Sequence, residues 1–509
     1  MLKSSKIFQN TLLLYIKSFI VLLLTLYTSR KVLEILGVED FGLYNVVGGV
    51  VGMLSFLNTT LVATYQRYFN YEKGRNNRLE LKTLFGSSLS VQFVLALIII
   101  LLAETFGLWF LKTQLVIPVE RMQESVWVYH ISIASFAISM LQAPFQAMII
   151  AYERMDMFAI VAVIESLLKL AVVLVLPMFA YDSLVLYAAM ILGTVIISTV
   201  IYIVWPSIKF DVCQFRLNWD KHRFKTLLNF GAWGTFDSLS YTLKSQGLNI
   251  LLNMFFGPVV NAARGLAYQI MNAVNQFVTN FQTSFRPQII QLYAAGELDA
   301  MYKLYYAATK ISFYMIWCLS LPIMLNISSI LNFWLGRNNV PEYTESFTIL
   351  VLLTTIISAY ANPTSCVAYA IGRIKWFTIV VSGLNILILP VAYVVLRLGA
   401  APQYALVVSL IITILAQVAR LFVVKYLETS FSLRKYLVFV VKPTLVVATT
   451  SMIVPFALKF YDNESIYFGI LACAVAVISV LLCVLMFGLN QNEKELLLGK
   501  ARQLLHKQR

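Results

Sequence analysis

Ionisable side chains stand inside stretches of about twenty otherwise apolar residues, and the candidates for function among them are Lys17, Glu165, Lys169, Asp237, Lys244 and Arg264. An ionised group at the depth of a hydrocarbon core costs about 2.5–3.5 kcal/mol even on lenient insertion scales, so such groups pair with one another or face a polar path. Glu165 and Lys169 are four residues apart with the acid first, the order that pairs best along a helix. Mutual neutralisation is their expected role, with coupling to an ion or contact with a substrate as the alternative. Asp237 and Lys244 are seven apart, two turns along one helical face, and can line one wall without touching.

A second pattern extends from Arg264. Tyr268, Asn272, Asn275, Thr279, Gln282 and Arg286 follow it at steps of three or four, which puts a polar stripe on one face of a helix. Within a membrane such a stripe must face a water-filled cavity or other polar helices. A solvated cavity between two lobes is the expectation, with Gln246, Asn249 and Asn253 of the preceding helix nearby. Cations outnumber acids among the buried charges, so the cavity favours an anionic ligand such as a phosphate.

The elements that must carry these residues are transmembrane helices. The chain has 509 residues, of which 60% are hydrophobic and 12% charged, and a mean hydropathy of +0.79. A soluble domain carries about 25% charged residues. Apolar spans lie near 10–28, 41–66, 83–110, 125–150, 157–178, 184–207, 227–256, 258–285, 311–332, 345–371, 376–397, 402–424, 443–458 and 466–488, and no polar stretch is long enough for a soluble domain. The expected fold is an all-α integral membrane protein of about fourteen helices.

The net charge of +15 is distributed by side of the membrane. Among the 39 Lys and Arg, only Arg30, Lys31, Lys112, Arg121, Arg337, Arg397 and Lys459 fall in the odd-numbered loops, while the termini and the even-numbered loops are basic. The positive-inside rule then places both termini and the basic loops of a multi-pass membrane protein in the cytoplasm. This distribution argues against nucleic acid as a partner. Lys3 and Lys6 before an apolar run imitate a signal peptide, but no small-residue cleavage site precedes Arg30, so the segment reads as a retained first helix. Cys213, Cys318, Cys366, Cys473 and Cys483 are scattered without metal-ligand spacing, and read as packing residues; no metal or cofactor is expected.

An internal repeat organises the spans. Pro144, Ala151, Arg154 and Phe158 recur as Pro363, Ala370, Arg373 and Phe377, and Gly37 recurs as Gly257. The offsets are 219 and 220, across an even number of helices, so the repeat is parallel, with a pseudo-twofold along the membrane normal. The expected organisation is an N-lobe of six helices over residues 1–215, a C-lobe of six over 216–430, two additional helices over 431–490 and a cytoplasmic tail over 491–509. The basic stretch Lys209 to Lys225 is the expected linker between the lobes.

The segment Gly37 to Arg67, with Leu36, Gly37, Phe41, Gly42, Leu43 and Tyr44 in its first turn, resembles the polysaccharide exporters and Wzx-type O-antigen flippases of the multidrug/oligosaccharidyl-lipid/polysaccharide superfamily. The Ala151 to Asp156 turn and the stretches Phe255 to Gly257 and Arg286 to Ile290 add to the likeness, as does a similarity to lipid II flippases. The resemblance implies two lobes around a cavity that opens alternately to each side. Its cargo would be polyprenyl-diphosphate-linked oligosaccharide, moved from the cytoplasmic to the outer leaflet for lipopolysaccharide or other surface polysaccharide, with polysaccharide assembly proteins as partners. On that reading Lys17, Lys244 and Arg264 engage the diphosphate, and Tyr268, Asn272, Asn275, Thr279 and Gln282 line the passage. Glu165 holds Lys169, and Asp237 is the candidate for sensing a coupling ion, H+ or Na+. The cationic cluster of the lipid II flippases is answered here only by Lys17, with no Lys or Arg inside the second span. The last two helices are candidates for a groove that takes the lipid tail.

Two other functions draw on the same residues. A cation- or proton-coupled multidrug exporter needs acidic residues to hold a cation, and Glu165 and Asp237 each have a Lys nearby. A membrane polysaccharide polymerase needs catalytic groups at the membrane face. The chain offers three His, at 130, 222 and 506, and no sequence motif of a hydrolase, transferase or nucleotide-binding site in context, so an enzyme is not expected.

Overall fold

A computed structural model describes residues 2–75, 77–152, 154–214, 218, 219, 236–336, 339–459, 466–491 and 493. Every regular element among them is helical. Among the described residues ten helices are long and apolar enough to cross a membrane: α3 (Arg78–Gln114), Val119–Ala151, Met155–Met178, α7 (Ser183–Lys209), α10 (Leu298–Leu325), Thr344–Ile371, Lys375–Arg397, α15 (Gln403–Leu427), α16 (Leu433–Leu458) and α17 (Phe468–Gly488). They overlap ten of the fourteen expected spans, with α10 starting 13 residues before its expected span and α16 ten. The other four stretches are helical where described, with shifted bounds. Helix α1 (Leu2–Gly52) runs through the first expected span to a break at Gly37, and the second is divided at Met53 and Leu54 before α2 (Ser55–Gly74). The seventh is helical from residue 236 into α8 (Leu248–Phe256), and the eighth continues to Ala294 as α9 (Pro258–Ala294). At 1.5 Å per residue α9 is about 55 Å long, more than a hydrocarbon core needs. Most of the expected linker and tail lies outside the described residues.

Contacts divide the chain into two units, the first comprising Met1–Gly265, Pro341–Tyr343 and Asn385–Ala405, the second the remainder. The division falls within α9, whereas the lobes expected from the sequence follow the repeat.

In the first unit, α2 and α3 pack with α5 (Ala143–Ala151) through Tyr65, Phe69, Phe85 and Phe145, all fully buried. A second cluster joins Leu43, Val46 and Val47 of α1 to Tyr129 and Ile133 of α4 (Met122–Met140) and to Leu184 of α7. The heaviest pairing sets α1 against α6 (Met155–Val175). Local chemistry fixes the ends. Asn77 accepts the Glu80 amide at 3.2 Å to start α3, and Asp182 accepts the Leu184 and Val185 amides at 3.1 and 3.0 Å to start α7, as N-caps do. Burial pushes the Cys213 thiol, just beyond α7, up to about 12, which keeps it protonated and inert. In the second unit α10 is the central element, followed by the short α11 (Ile327–Leu335) and packed against α12 (Thr344–Ser358), α13 (Ala361–Ile371), α16 and α17. An aromatic ladder of Tyr302, Tyr305, Tyr306, Phe431 and Tyr436 fills one end.

The repeat is visible in the backbone. Gly37 (φ 75, ψ 172) and Gly257 (φ 78, ψ −173) adopt the same conformation, which is available to glycine and strained for other residues. Both separate two helices at a sharp turn. Downstream, a two-residue break precedes the proline-bearing helices α5 and α13, and the next helices, α6 and α14 (Ile374–Arg397), start 219 residues apart, at Met155 and Ile374.

Three helices contain a π turn that ends in glycine: Ala103–Gly107, Leu243–Gly247 and Val484–Gly488. A π turn inserts a residue into an α-helix and disturbs its carbonyl pairing. In each case a side chain from another helix donates to a carbonyl of the turn. Tyr129 Oη reaches Ala103 at 2.8 Å, the Arg264 guanidinium reaches Ser245, and Tyr314 Oη reaches Gly488 at 3.0 Å. The glycines admit close neighbours. A Cβ on Gly107 would overlap the Tyr129 hydroxyl, one on Gly247 would lie 2.6 Å from Leu389, and one on Gly488 2.9 Å from Tyr314.

Candidate functional site

The α1–α6 pair carries the first group of charges. Lys17 is half-buried, and its Nζ stands 4.6 Å from the centre of the Phe158 ring, a cation–π contact. Glu165, two turns further along α6, acts on it electrostatically. Lys169 Nζ meets Glu165 Oε1 at 2.6 Å, so the i,i+4 spacing forms the pair that it suggests. The two side chains retain 41% and 33% of their exposure, so the pair remains accessible from the helix surface. Two cations with one acid leave a net positive group, centred on Lys17. At the start of α6, Arg154 pairs with Asp156 at 2.8 Å and lies 5.0 Å from the Trp205 ring of α7.

Lys244 and Arg264 form the second group. Lys244 sits half-buried in the π turn Leu243–Gly247. Arg264 is only 5% exposed and donates to the Ser245 carbonyl, the residue after Lys244. The sequence places Arg264 as a cation facing a cavity. Its side chain instead turns into the packing, because the π turn presents a carbonyl for it to satisfy. Asp237 is half-buried one helical stretch earlier, and its carbonyl accepts the Ser240 hydroxyl at 2.9 Å.

Next to this turn an asparagine network ties α1, α8 and α9 together. Asn249 Nδ2 donates to the Asn45 carbonyl at 3.1 Å, and Asn261 Nδ2 to Asn249 Oδ1 at 2.9 Å. Asn253 Nδ2 donates to Asn261 Oδ1 at 3.0 Å, while its Oδ1 accepts the Val116 amide at 2.9 Å. Asn249 and Asn253, expected beside a solvated passage, are buried in polar helix packing. Gly265 approaches Asn45, its equivalent under the 220-residue offset, so closely that a Cβ there would lie 3.1 Å away.

The stripe on α9 divides into two kinds of residue. Asn272, Thr279 and Arg286 are exposed, and Tyr268 and Asn275 half-buried, whereas Gln282 is buried and accepts Asn362 Nδ2 at 2.7 Å. Thr279 Oγ1 returns to the Asn275 carbonyl at 2.9 Å, and the Arg286 guanidinium lies 5.3 Å from the Tyr369 ring. The exposed members are amide, hydroxyl and guanidinium groups on one face, a surface suited to sugar hydroxyls or phosphate oxygens.

Three ionisable groups are not offered as site residues by the sequence. Lys310 is 1% exposed within α10 and pairs with Glu493 Oε2 at 2.7 Å. It escapes because the expected span starts at 311, although the apolar and aromatic run from Leu304 already signals a buried helix. Arg121 joins Asp40 of α1 to the α7 cap Asp182, with Nη1 to Asp182 Oδ2 at 2.6 Å. His130 Nδ1 lies 2.9 Å from Glu104 Oε1, a partner 26 residues away. Among the described residues no group of three His, Cys, Asp or Glu could hold a metal ion.

Long apolar helices with cations and amides set along their faces define a polytopic membrane protein with polar surfaces inside its spans. The chain belongs to the polysaccharide biosynthesis protein family, whose sequence profile matches residues 5–293. It is similar to the uncharacterized membrane protein EpsK of Bacillus subtilis (strain 168), 20% identical over 285 residues, 55% of each chain. The match therefore spans about half the length of that curated relative. The fold is similar to that of the lipid II flippase MurJ in an inward closed conformation, with a TM-score of 0.68 at 14% identity over 94% of this chain and 98% of that one. It is also similar to a mutant form of the MATE transporter VcmN of Vibrio cholerae, with a TM-score of 0.60 at 16% identity over 84% of this chain and 97% of that one.

Proposed function

We propose that the protein is a flippase that moves an anionic, lipid-linked oligosaccharide from the cytoplasmic to the outer leaflet of the inner membrane by alternating access, with both termini cytoplasmic. The observation that carries this reading is the cationic excess on membrane helices of a polysaccharide biosynthesis protein: Lys17 against Phe158, Lys244 in the π turn, Lys169 and Arg264, against the two acids Glu165, which pairs with Lys169, and Asp237. Sugar hydroxyls cannot cross hydrocarbon bare, since each loses hydrogen bonds worth several kcal/mol, and the exposed amides and hydroxyls of α9 offer replacements. A diphosphate needs cations, which Lys17 and Lys244 supply, while Arg264 supports the turn that holds Lys244. An inside-negative potential favours outward movement of each negative charge by about 2.3 kcal/mol per 100 mV. A polyprenyl diphosphate is the proposed carrier and O-antigen or another surface glycan the proposed cargo, delivered to polysaccharide assembly proteins.

The likeness to a MATE transporter supports a second reading, export of a cationic drug in exchange for H+ or Na+. The Lys169 pairing of Glu165 weighs against it, because it occupies one of the two carboxylates, Glu165 and Asp237, that such a cation would use. The test is the leaflet in which lipid-linked oligosaccharide accumulates in cells lacking the protein. Accumulation on the cytoplasmic leaflet, relieved by the wild-type chain and not by Lys17→Glu or Lys244→Glu, is expected. Normal arrival at the outer leaflet would overturn the flippase reading.

A further inference from the structure

The second unit contains a cavity of about 910 Å3, remote in sequence from the cations assigned to cargo. Its walls come from the first turns of α10, the start of α16 and the residues that follow α17. Lys310 and Glu493 sit in this lining as a closed pair, and Glu493 also accepts the Asn490 amide at 2.9 Å, so this part of the wall is electrically satisfied. Elsewhere on the wall, Lys303 and Lys435 are exposed and form no ion pair among the described residues. Apart from the paired Glu493, Asp299 is the acid that shares the lining with these two cations. The Tyr306 ring stacks on Phe439 at 6.2 Å, and its hydroxyl has no hydrogen-bond partner among the described residues. Beside Phe439 the surface continues through Leu437 and Val438, 54% and 48% exposed on a helix apolar enough to span a membrane.

Two ammonium groups and a phenol thus converge on a cavity that adjoins an apolar helix face. Basic pockets between membrane helices at a lipid–water boundary suit phosphorylated headgroups, and long Lys side chains there reach towards phosphate while apolar neighbours stay in lipid. We propose that this cavity binds the phosphodiester headgroup of an anionic membrane lipid that is not cargo. Lys303 and Lys435 hold the phosphate, the Tyr306 hydroxyl donates to it, and the acyl chains lie along Leu437, Val438 and Phe439. The adjoining apolar face selects a lipid over phosphate in solution, since a soluble anion gains nothing from it.

The full-length protein in nanodiscs of phosphatidylcholine, with and without phosphatidylglycerol, provides the test. Phosphatidylglycerol is expected to raise the melting temperature and to remain bound on purification, and the double variant K303Q/K435Q is expected to lose at least about tenfold in retention, the equivalent of about 1.4 kcal/mol. The variant should melt like the wild type in phosphatidylcholine alone, and K303R/K435R should keep the lipid, which separates lost binding from lost folding. Equal retention by K303Q/K435Q, or no effect of phosphatidylglycerol on the wild type, would overturn the site. An equal stabilisation by millimolar inorganic phosphate in phosphatidylcholine discs would overturn the lipid as its occupant.

Discussion

Replacing Arg264 by Met separates a helix clamp from a cargo ligand. The methionine keeps most of the length and apolar volume of the arginine stem, so packing around α9 changes little. What disappears is a charge-assisted hydrogen bond to the Ser245 carbonyl in a π turn. Such bonds contribute about 1.5–3 kcal/mol, and because Arg264 is 5% exposed, water cannot readily replace the donor. At about 1.4 kcal/mol per decade, the turn should open about 10- to 150-fold more often. Hydrogen exchange of a peptide covering residues 243–252 reads this directly, because local opening sets the exchange of its amides. Arg264→Lys should recover part of the protection with one donor. Unchanged exchange in Arg264→Met would refute the clamp, and unchanged exchange together with lost export would move Arg264 to the cargo.

Other perturbations test the rest of the architecture. Gly107→Ala should destabilise the protein by about 1–3 kcal/mol through overlap with Tyr129, and Tyr129→Phe should lower the cost in the double variant, as thermal melts would show. Glu165→Gln leaves Lys169 without its acid. Because both side chains are a third or more exposed, the fold should lose only about 0–1 kcal/mol, while the exchanged pair E165K/K169E should melt like the wild type; a collapse of the exchanged pair would count against a simple charge pair. Glu493→Gln, which strands a buried ammonium, should lower the melting temperature more than the paired replacement K310M/E493L, in which no charge is left behind. At the cap of α7, burial alone would raise the Asp182 carboxyl, but the Val185 amide, Arg121 and the Leu184 amide together hold it below the usual carboxylate value. Its contribution to stability is therefore complete above about pH 4 and falls as the pH drops through the lower folded value. Asp182→Asn should flatten that acid limb of a melting curve.

Features legible in the sequence were those set by local spacing. Glu165 and Lys169 find each other because about four residues make one helical turn, and Gly37 and Gly257 announce the same turn because only glycine tolerates its backbone. The long apolar runs gave ten of the spans directly, with bounds that drifted where polar side chains enter a helix. Features that depend on helix rotation were not legible. Arg264 and Gln282 belong to one stripe by their steps of three and four, yet packing turns both inward, and no periodicity reveals that. Nor could spacing join Asp40, Arg121 and Asp182, which come from three separate parts of the chain. The π turns were invisible for a related reason: one surplus residue shifts a pattern by less than its ordinary irregularity.

That surplus residue is slack wound into the helix. Expelling it at Leu243–Gly247 would rotate everything on one side by about 100° relative to the other, with hydrogen bonds re-formed in the α pattern and no segment unfolded. The face of α8 could then be exchanged for another without a hinge, a kink or a moving loop. Tyr129, Arg264 and Tyr314 act as the pins that hold three such reserves wound. A charge carried on the turn, as Lys244 is, would swing with such a rewinding.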